Sequence, residues 1–410
     1  MATANLTSLD AYLKEVYTED ELIKQWSEAS PFYGMVKKED DFYGREGIVP
    51  VQYAMSPGVS KLFANAQTNQ NGTSQKAFAV TRAKQYGSVR IDNETIRAMA
   101  NDEGAFVDAV GSQVDGLVRS VERQITTGVF RNNGAAIGRI SGSGSAHSNT
   151  TITLLTRSDV VNFEVGLTLG LGNTDGTSGT VRANTVVVTG VDRSNGILTL
   201  SANTDSKGFL DNDYLFVDGD FGAGFHGLDS WLPSSVTSTS FFGVDRTIDS
   251  NRLGGVRYSN GSGGPIEQTL IQGVQELALQ SPGARPDVIL MNPLDFGALC
   301  VQLGSRTQIM QDKVSATGVN LSYDAIKLAT SKGFLKVVPD INQPVGLAYV
   351  LQMNTWKFWT LGKPGFMPED GVGGKYKALR VSNADSIEIR MGCYGNLVCK
   401  APGYNCRVTL

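Results

Sequence analysis

The chain has 410 residues, of which 41% are hydrophobic and 19% charged, a globular composition with room for two or three domains. Its formal net charge of -4 and the lack of any dense Lys/Arg block argue against a general nucleic-acid-binding protein. The N-terminus carries no secretory signal, and no run of about 18 apolar residues is present that could cross a membrane.

The first 35 residues have the pattern of two short helices. Thr7 and Thr18 each stand three residues before an acid, Asp10 and Glu21, an arrangement that satisfies the free amides at a helix start. Pro31 is expected to end the second helix, because the residue before a proline disfavours helical geometry.

Residues 45–92 are predicted to form a long extended hairpin. Ile48–Val51 is strand-like, and after a polar stretch the segment Lys76–Tyr86 alternates with a two-residue period. Neither face of this alternation is strongly apolar, so the hairpin can bury little on its own body. We expect it to need a partner surface.

One long helix is predicted over 101–131. Acidic residues lie near its start, and Arg123 and Arg131 lie near its end, which matches the helix dipole. At about 1.5 Å per residue it would be roughly 40–45 Å long, well above the usual helix length in globular domains. Its apolar stripe, at three- and four-residue steps, consists of Val107, Val110, Val114, Leu117, Val121 and Ile125.

A small all-β barrel or sandwich is predicted over 146–235, inserted into another domain. It follows a Gly/Ser linker, and no helical pattern interrupts its short apolar runs. Asn195-Gly196 indicates a tight hairpin, because both residues tolerate positive φ. The predicted strands are Ile152–Leu154, Phe163–Leu169, Thr185–Thr189, Ile197–Leu200 and Asp213–Val217.

Helical spacing returns at Pro265 and is followed by a strand, Val288–Met291. Asn292-Pro293 is then expected to cap and open another helix that runs to Leu303. The whole order is α+β with an all-β insertion. The extended segments predicted after this helix are Leu335–Val338, Ala348–Leu351, Trp356–Thr360, Ser386–Gly392 and Asn396–Cys399.

No constellation of catalytic, cofactor-binding or metal-ligating residues emerges, so we expect none. His147 and His226 lie in glycine-rich stretches without a partner at ligand spacing. Residues 222–227 match GxGxxG, but Pro233 would stop the helix that a dinucleotide site requires. The aspartates between 211 and 220 lack the order of a calcium loop. The cysteines form no CxxC pair and are expected to be reduced, packed thiols: Cys300, Cys393, Cys399 and Cys406.

The order of these segments resembles the Hong Kong ninety-seven type fold of tailed-bacteriophage major capsid proteins over nearly the whole chain. The helix at 101–131 is similar to the family's spine helix, Val288–Pro293 to its strand followed by Asn-Pro, and Ile387–Gly392 to a long strand of its peripheral domain. The resemblance implies an N-terminal arm (1–44), an extended loop (45–92), a peripheral domain with the spine helix (93–145), an inserted β-domain (146–235), a connection (236–264), an axial domain (265–375) and return strands (376–410).

The resemblance also implies a function: a non-enzymatic major capsid protein of a virion, assembled in the cytoplasm of a bacterial host. Its pentamers and hexamers would form an icosahedral shell around double-stranded DNA, without sequence-specific contacts and without a membrane. A separate scaffolding protein, a portal and a decoration protein are implied partners, and no cleaved pro-segment is expected with so short an arm. Contacts between subunits are expected at Met55, Lys61, Phe63, Phe78, Arg82, Lys84, Tyr86, Arg119 and Arg123.

Some relatives crosslink a loop lysine to a neighbour's asparagine. Lys61 or Lys76 with Asn396 would be the matching pair here, but no activating glutamate can be placed.

The sequence leaves three alternatives open. An encapsulin-like shell around cargo enzymes would share the fold, although the inserted β-domain and the long N-terminal region favour a phage shell. An enzyme with an appended β-domain lacks support, because histidine, phosphate-loop and metal constellations are missing. A tail or decoration protein is usually β-rich throughout, so a helix of this length fits it poorly.

Overall fold

The computed structural model describes residues 30–92, 103–142, 149–182, 184–204, 207–261, 263–303, 312–313, 324–362, 365–366, 378–381 and 385–410. The two short helices predicted before residue 30, and His147, lie outside this part of the chain. The α-helices are α1 (Pro31–Met35), α2 (Phe63–Thr68), α3 (Glu103–Phe130), α4 (Leu228–Trp231), α5 (Ser250–Gly254), α6 (Ile266–Gln280) and α7 (Pro293–Leu303). Short 3-10 helices cover Arg157–Asn162, Arg246–Asp249, Met353–Thr355 and Pro402–Tyr404.

The described strands form three large sheets and one hairpin. They are β1 (Lys37–Glu39), β2 (Gly47–Ala54), β3 (Ser74–Val80), β4 (Ala83–Asp92), β5 (Gly138–Arg139), β6 (Thr151–Thr153), β7 (Thr168–Gly172), β8 (Val186–Asp192), β9 (Ile197–Leu200), β10 (Tyr214–Val217), β11 (Val256–Ser259), β12 (Val288–Met291), β13 (Asp312–Lys313), β14 (Asp324–Thr330), β15 (Gly333–Pro339), β16 (Leu347–Leu351), β17 (Trp356–Thr360), β18 (Gly365–Phe366), β19 (Ala378–Arg380), β20 (Ser386–Cys399) and β21 (Cys406–Thr409).

The first sheet is built around β20. Strands β4, β17, β18 and β19 pair with β20 antiparallel, and β1 joins the edge of β17. The two extended segments predicted at 386–392 and 396–399 are therefore one strand of 14 residues. Trp356–Thr360 is extended as predicted, and it lies in this first sheet and not in the sheet that contains β12, β15 and β16.

The long helix α3 confirms the predicted helix over 101–131, with both ends within two residues of the prediction. Its buried stripe packs into the core of the first sheet, because apolar residues at three- and four-residue steps share one helix face. The buried members are Val114, Val118, Val121, Ile125 and Val129.

The alternating segment Lys76–Tyr86 is two strands, so the prediction of one strand is wrong. Strand β3 ends at Val80 and pairs with β2, whereas β4 begins at Ala83 and pairs with β20. Arg82 lies at the break, where its guanidinium donates to the Phe42 carbonyl at 2.7 Å and covers the Phe42 ring. The hairpin is therefore confined to Gly47–Val80, and the residues from Ala83 onward belong to the first sheet.

The second sheet has the order β11-β21-β16-β12-β15-β14-β13 and a separate core beneath α6 and α7. All four residues of β12 are buried, as expected for a continuous apolar strand between two neighbours. The predicted cap is confirmed, because the Asn292 side chain accepts from the Leu294 amide at 3.0 Å and donates to the Gln343 carbonyl at 2.6 Å.

The third sheet has the order β5-β10-β7-β8-β9-β6, with a core of its own. The prediction of a strand over Phe163–Leu169 is wrong for its first half, since a 3-10 helix ends at Asn162 and β7 begins only at Thr168. The β8–β9 hairpin is confirmed, but its turn is wider than two residues. Asp192 pairs with Ile197, and Gly196 has positive φ (68°).

The first residues of the described chain are fixed by a buried aspartate. The Asp340 carboxylate accepts from the Ser30 hydroxyl at 2.6 Å and from the Phe32 amide at 3.2 Å. Pro31, predicted to end a helix, instead occupies the first turn of α1, where its missing amide costs nothing. Burial raises the pKa of Asp340, although its hydrogen bonds act in the opposite direction.

Candidate assembly surfaces

The tip of the hairpin, residues 55–73, carries several apolar side chains that the described part of the chain leaves exposed. Met55 is 80% exposed and Phe63 82% exposed, and Val59 and Leu62 are exposed beside them. No residue of α2, which lies in this tip, is buried. The two arms are nevertheless held together, since the Ser56 hydroxyl donates to the Asn71 carbonyl at 2.6 Å.

The base of the same hairpin is part of the protein core. Phe78 is 0% exposed, and its ring contacts Trp231 and Phe241 at centroid distances of 5.3 and 6.0 Å. Its prediction as a contact residue between subunits is therefore wrong, because a side chain buried in its own subunit has no surface left for a neighbour. Val49 and Val51 are buried on the facing strand.

The other predicted contact residues fall into separate groups. Met55, Lys61 and Phe63 lie together on the exposed tip. Arg82 is half-buried at the strand break and bonds within its own chain, which leaves little of it for a neighbour. Tyr86 is exposed on β4, with its ring edge against Tyr394 at 5.6 Å.

The remaining three predicted residues, Lys84, Arg119 and Arg123, line one cleft. The cleft has a volume of about 440 Å³ and lies between α3, the start of β4 and the third sheet. Arg131 also faces it, together with the carboxylates Glu164 and Asp220. Further lining residues include Ile137, Leu167 and Phe225.

Ion pairs fix two of the cleft's cations. Arg123 is bonded to Glu164, which also accepts from Arg193 at 2.8 Å. Arg131 is bonded to Asp159 at 2.6 Å. Burial, and the nearby charge of Asp218, raise the pKa of Asp220 to about 6.

Helix α7 presents a second exposed apolar face that the sequence prediction missed. Leu294 and Val301 (82% exposed) lie on one side of the helix with Ala298 between them, opposite the buried Leu299 and Leu303. The signal was present in the sequence, because residues at four- and three-residue steps share one helix face. Phe334, the second residue of β15, is 75% exposed.

The rejected chemical motifs have structural roles. His226 packs among Phe241 and Phe242, and burial, followed by the charge of Arg246, lowers its pKa to about 4. Gly227 ends the glycine motif with its amide bonded to the Arg131 carbonyl at 3.0 Å, at the end of α3. A Cβ at Gly227 would collide with the carbonyl oxygens of residues 128, 129 and 131.

Among the described residues, no group of three His, Cys, Asp or Glu side chains is placed to hold a metal ion. No helix within the described ranges is long and apolar enough to cross a membrane. Asp213, one of the aspartates of the calcium-like run, is held by Arg182 through two hydrogen bonds of 2.9 and 3.0 Å.

The asparagine of the imagined crosslink is buried and fully engaged. The Asn396 side chain donates to the Thr81 carbonyl at 2.9 Å and accepts from the His226 amide at 2.9 Å. Its amide is therefore not presented to a lysine of a neighbouring loop.

No protein-family model and no curated protein matches the sequence. Among solved structures, the chain is similar to the cyanophage A-1(L) capsid asymmetric unit. The sequences are 14% identical, 92% of this chain and 91% of that chain are covered, and the TM-score is 0.51. At this identity the likeness shows the fold alone. The chain has the phage capsid fold of the Hong Kong ninety-seven type, and the predicted α+β fold class is confirmed.

Two further structures resemble the chain less closely. The holo-SrpI encapsulin complex of Synechococcus elongatus PCC 7942 is 9% identical, with 100% of this chain and 96% of that chain covered and a TM-score of 0.42. A structure of Gordonia phage Cozz is 12% identical, with 92% and 84% covered and a TM-score of 0.39. With these lower TM-scores, neither adds to the assignment.

Proposed function

We propose that the protein is a major capsid protein whose copies form the icosahedral shell of a tailed bacteriophage. The observation that carries the proposal is the tip at 55–73, whose apolar side chains the described residues leave exposed in a chain with the capsid fold. Exposed apolar clusters of this kind mark contact sites with other proteins. The role is structural and not enzymatic.

Two different exposed surfaces suit such assembly. The tip and the exposed face of α7 belong to different parts of the fold, so each can meet a different surface of a neighbouring copy. Contacts between unlike surfaces close into rings when the rotation between copies is right. Burying one large apolar side chain contributes about 1.5–3 kcal/mol, so the four at the tip could offset part of the cost of association.

The remaining expectations from the sequence belong to the same proposal. They are the division into arm, loop, peripheral, inserted and axial parts, the pentamers and hexamers, and location in the virion after assembly in the host cytoplasm. A separate scaffolding protein, a portal and a decoration protein would be partners. With a net charge of -4, the shell would enclose DNA without gripping its phosphates over large areas.

The direct test is to express the full chain, alone and with its phage's scaffolding protein, and to image the products after size-exclusion chromatography. We expect hollow shells, rings of five or six copies, or polymerised sheets. A stable monomer under both conditions would contradict the proposal.

A further inference from the structure

The cleft between α3 and the third sheet is cationic as well as apolar. Four cations, Lys84, Arg119, Arg123 and Arg131, line it against the two carboxylates Glu164 and Asp220. Glu164 is already committed, because it binds Arg123 and Arg193. Asp220 is still largely ionised near neutral pH, since burial raises its pKa only to about 6, and the four cations outnumber the two carboxylates.

Lys84 and Arg119 are the cations available to a ligand. Both side chains are exposed, and within the described ranges neither forms an ion pair with a carboxylate. Ile137 and Leu167, which are half-buried, and the largely buried Phe225 add apolar lining to the same cleft. The cleft therefore suits a peptide that carries acidic residues next to large apolar ones.

The first 29 residues of this chain have that composition. They contain six carboxylates and two lysines, which accounts for the whole net charge of -4. The acids are concentrated in Glu15–Glu21, where Val16 and Tyr17 stand between them and Leu13 precedes them. The remainder of the chain is electrically neutral, so this segment is the chain's own strongly anionic part.

The described chain also begins near the cleft. The Ser30 hydroxyl donates to one carboxylate oxygen of Asp340, and the backbone amide of Asn342 donates to the other at 3.0 Å. The Thr127 hydroxyl in turn donates to the side-chain oxygen of Asn342 at 3.4 Å. Thr127 itself lines the cleft. Phe32 contacts Phe130 at the end of α3, with ring centroids 5.3 Å apart. A segment of 29 residues can span at most about 95–105 Å when extended, so its own subunit's cleft is within easy reach.

We propose that residues 1–29 bind the cleft of their own subunit. In this arrangement the acids of Glu15–Glu21 face Lys84 and Arg119, and apolar side chains of the same stretch contact the apolar lining at Ile137 and Leu167. The contact ties the N-terminal arm to both α3 and the third sheet. It does not require a shell, so it can fail while the proposed function stands.

Photo-crosslinking in the full-length, unassembled subunit tests this proposal. A benzophenone amino acid replaces Tyr17, and a mixture of isotopically heavy and light subunits is irradiated at low concentration. We expect crosslinks to peptides of 116–137 or 217–225, without mixed-isotope products. Crosslinks that map elsewhere, or that join heavy to light chains, would overturn the proposal.

Charge reversal supplies the matched comparison. The pair Lys84→Glu and Arg119→Glu should lower the crosslink yield about fivefold, and adding Glu19→Lys and Glu21→Lys should restore it. The control pair Arg45→Glu and Lys61→Glu changes the net charge equally at exposed positions outside the cleft and should leave the yield unchanged. An equal loss in the cleft and control variants, or no rescue, would also overturn the proposal.

Discussion

The base and the tip of the β2–β3 hairpin belong to one continuous segment, yet they have opposite relations to the rest of the subunit. Phe78 and Val80 in the base are completely buried, whereas Met55, Leu62 and Phe63 in the tip are largely exposed. The base is held by aromatic contacts with its own chain, whereas in the tip the Ser56 hydroxyl bonds the facing arm at Asn71. Apolar residues in one hairpin can therefore serve the fold in one half and association in the other.

The strongest test of this contrast removes one phenylalanine from each half. Phe78→Ala should lower the free energy of unfolding by about 3–5 kcal/mol, because it leaves a cavity beside Trp231 and Phe241. Phe63→Ala should change it by less than about 0.5 kcal/mol, since that side chain is exposed. Urea unfolding of the unassembled subunits measures both. Similar losses in the two variants would abolish the distinction between base and tip.

A pair of glycines extends the same contrast to the backbone. Gly227→Ala should destabilise the subunit by about 2–4 kcal/mol, because a Cβ there meets the carbonyls at the end of α3. Gly72→Ala, in the tip, has nothing within 4 Å of the added atom and should be nearly neutral. Thermal unfolding of both variants checks this, and a neutral Gly227→Ala would refute the close packing.

The smallest expected effect concerns charge. The tip, residues 55–73, contains no acidic residue. The cleft beside α3 does contain one with a shifted pKa, since burial raises the pKa of Asp220 from 3.8 to about 6. A carboxyl with a raised folded-state pKa destabilises the fold as pH rises from its unfolded pKa through its folded one. Asp220→Asn should therefore gain about 1 kcal/mol at about pH 7.5, after allowance for partial exposure, and nothing at about pH 3.5. A gain that is independent of pH would point to another cause.

The sequence predicts most reliably those elements that are set by local pattern. The long helix α3 follows from an uninterrupted apolar stripe, and β12 with α7 from an apolar run before Asn292-Pro293. Both signals lie within a few residues of the element that they determine, so no knowledge of distant partners is needed.

The wrong predictions concern elements whose structure depends on contacts with segments far away in the sequence. The alternation through Lys76–Tyr86 gives no hint that β3 and β4 pair with β2 and β20, respectively. The sequence pattern predicts two segments where β20 is one strand, because Gly395 weakens the pattern and the pairing with β4 and β17 that keeps the strand continuous is not visible locally. The pattern also fails to predict the burial of Phe78, because that burial depends on Trp231 and Phe241, far along the chain.

The most direct test of the central claim is electron microscopy of a variant with Met55→Ser, Leu62→Ser and Phe63→Ser, set beside the unaltered chain. The free energy of unfolding should stay within about 1 kcal/mol of the original, because all three side chains are exposed. We predict folded subunits that no longer form shells, rings or sheets. Assembly at the yield of the unaltered chain would contradict the claim that this tip joins neighbouring copies.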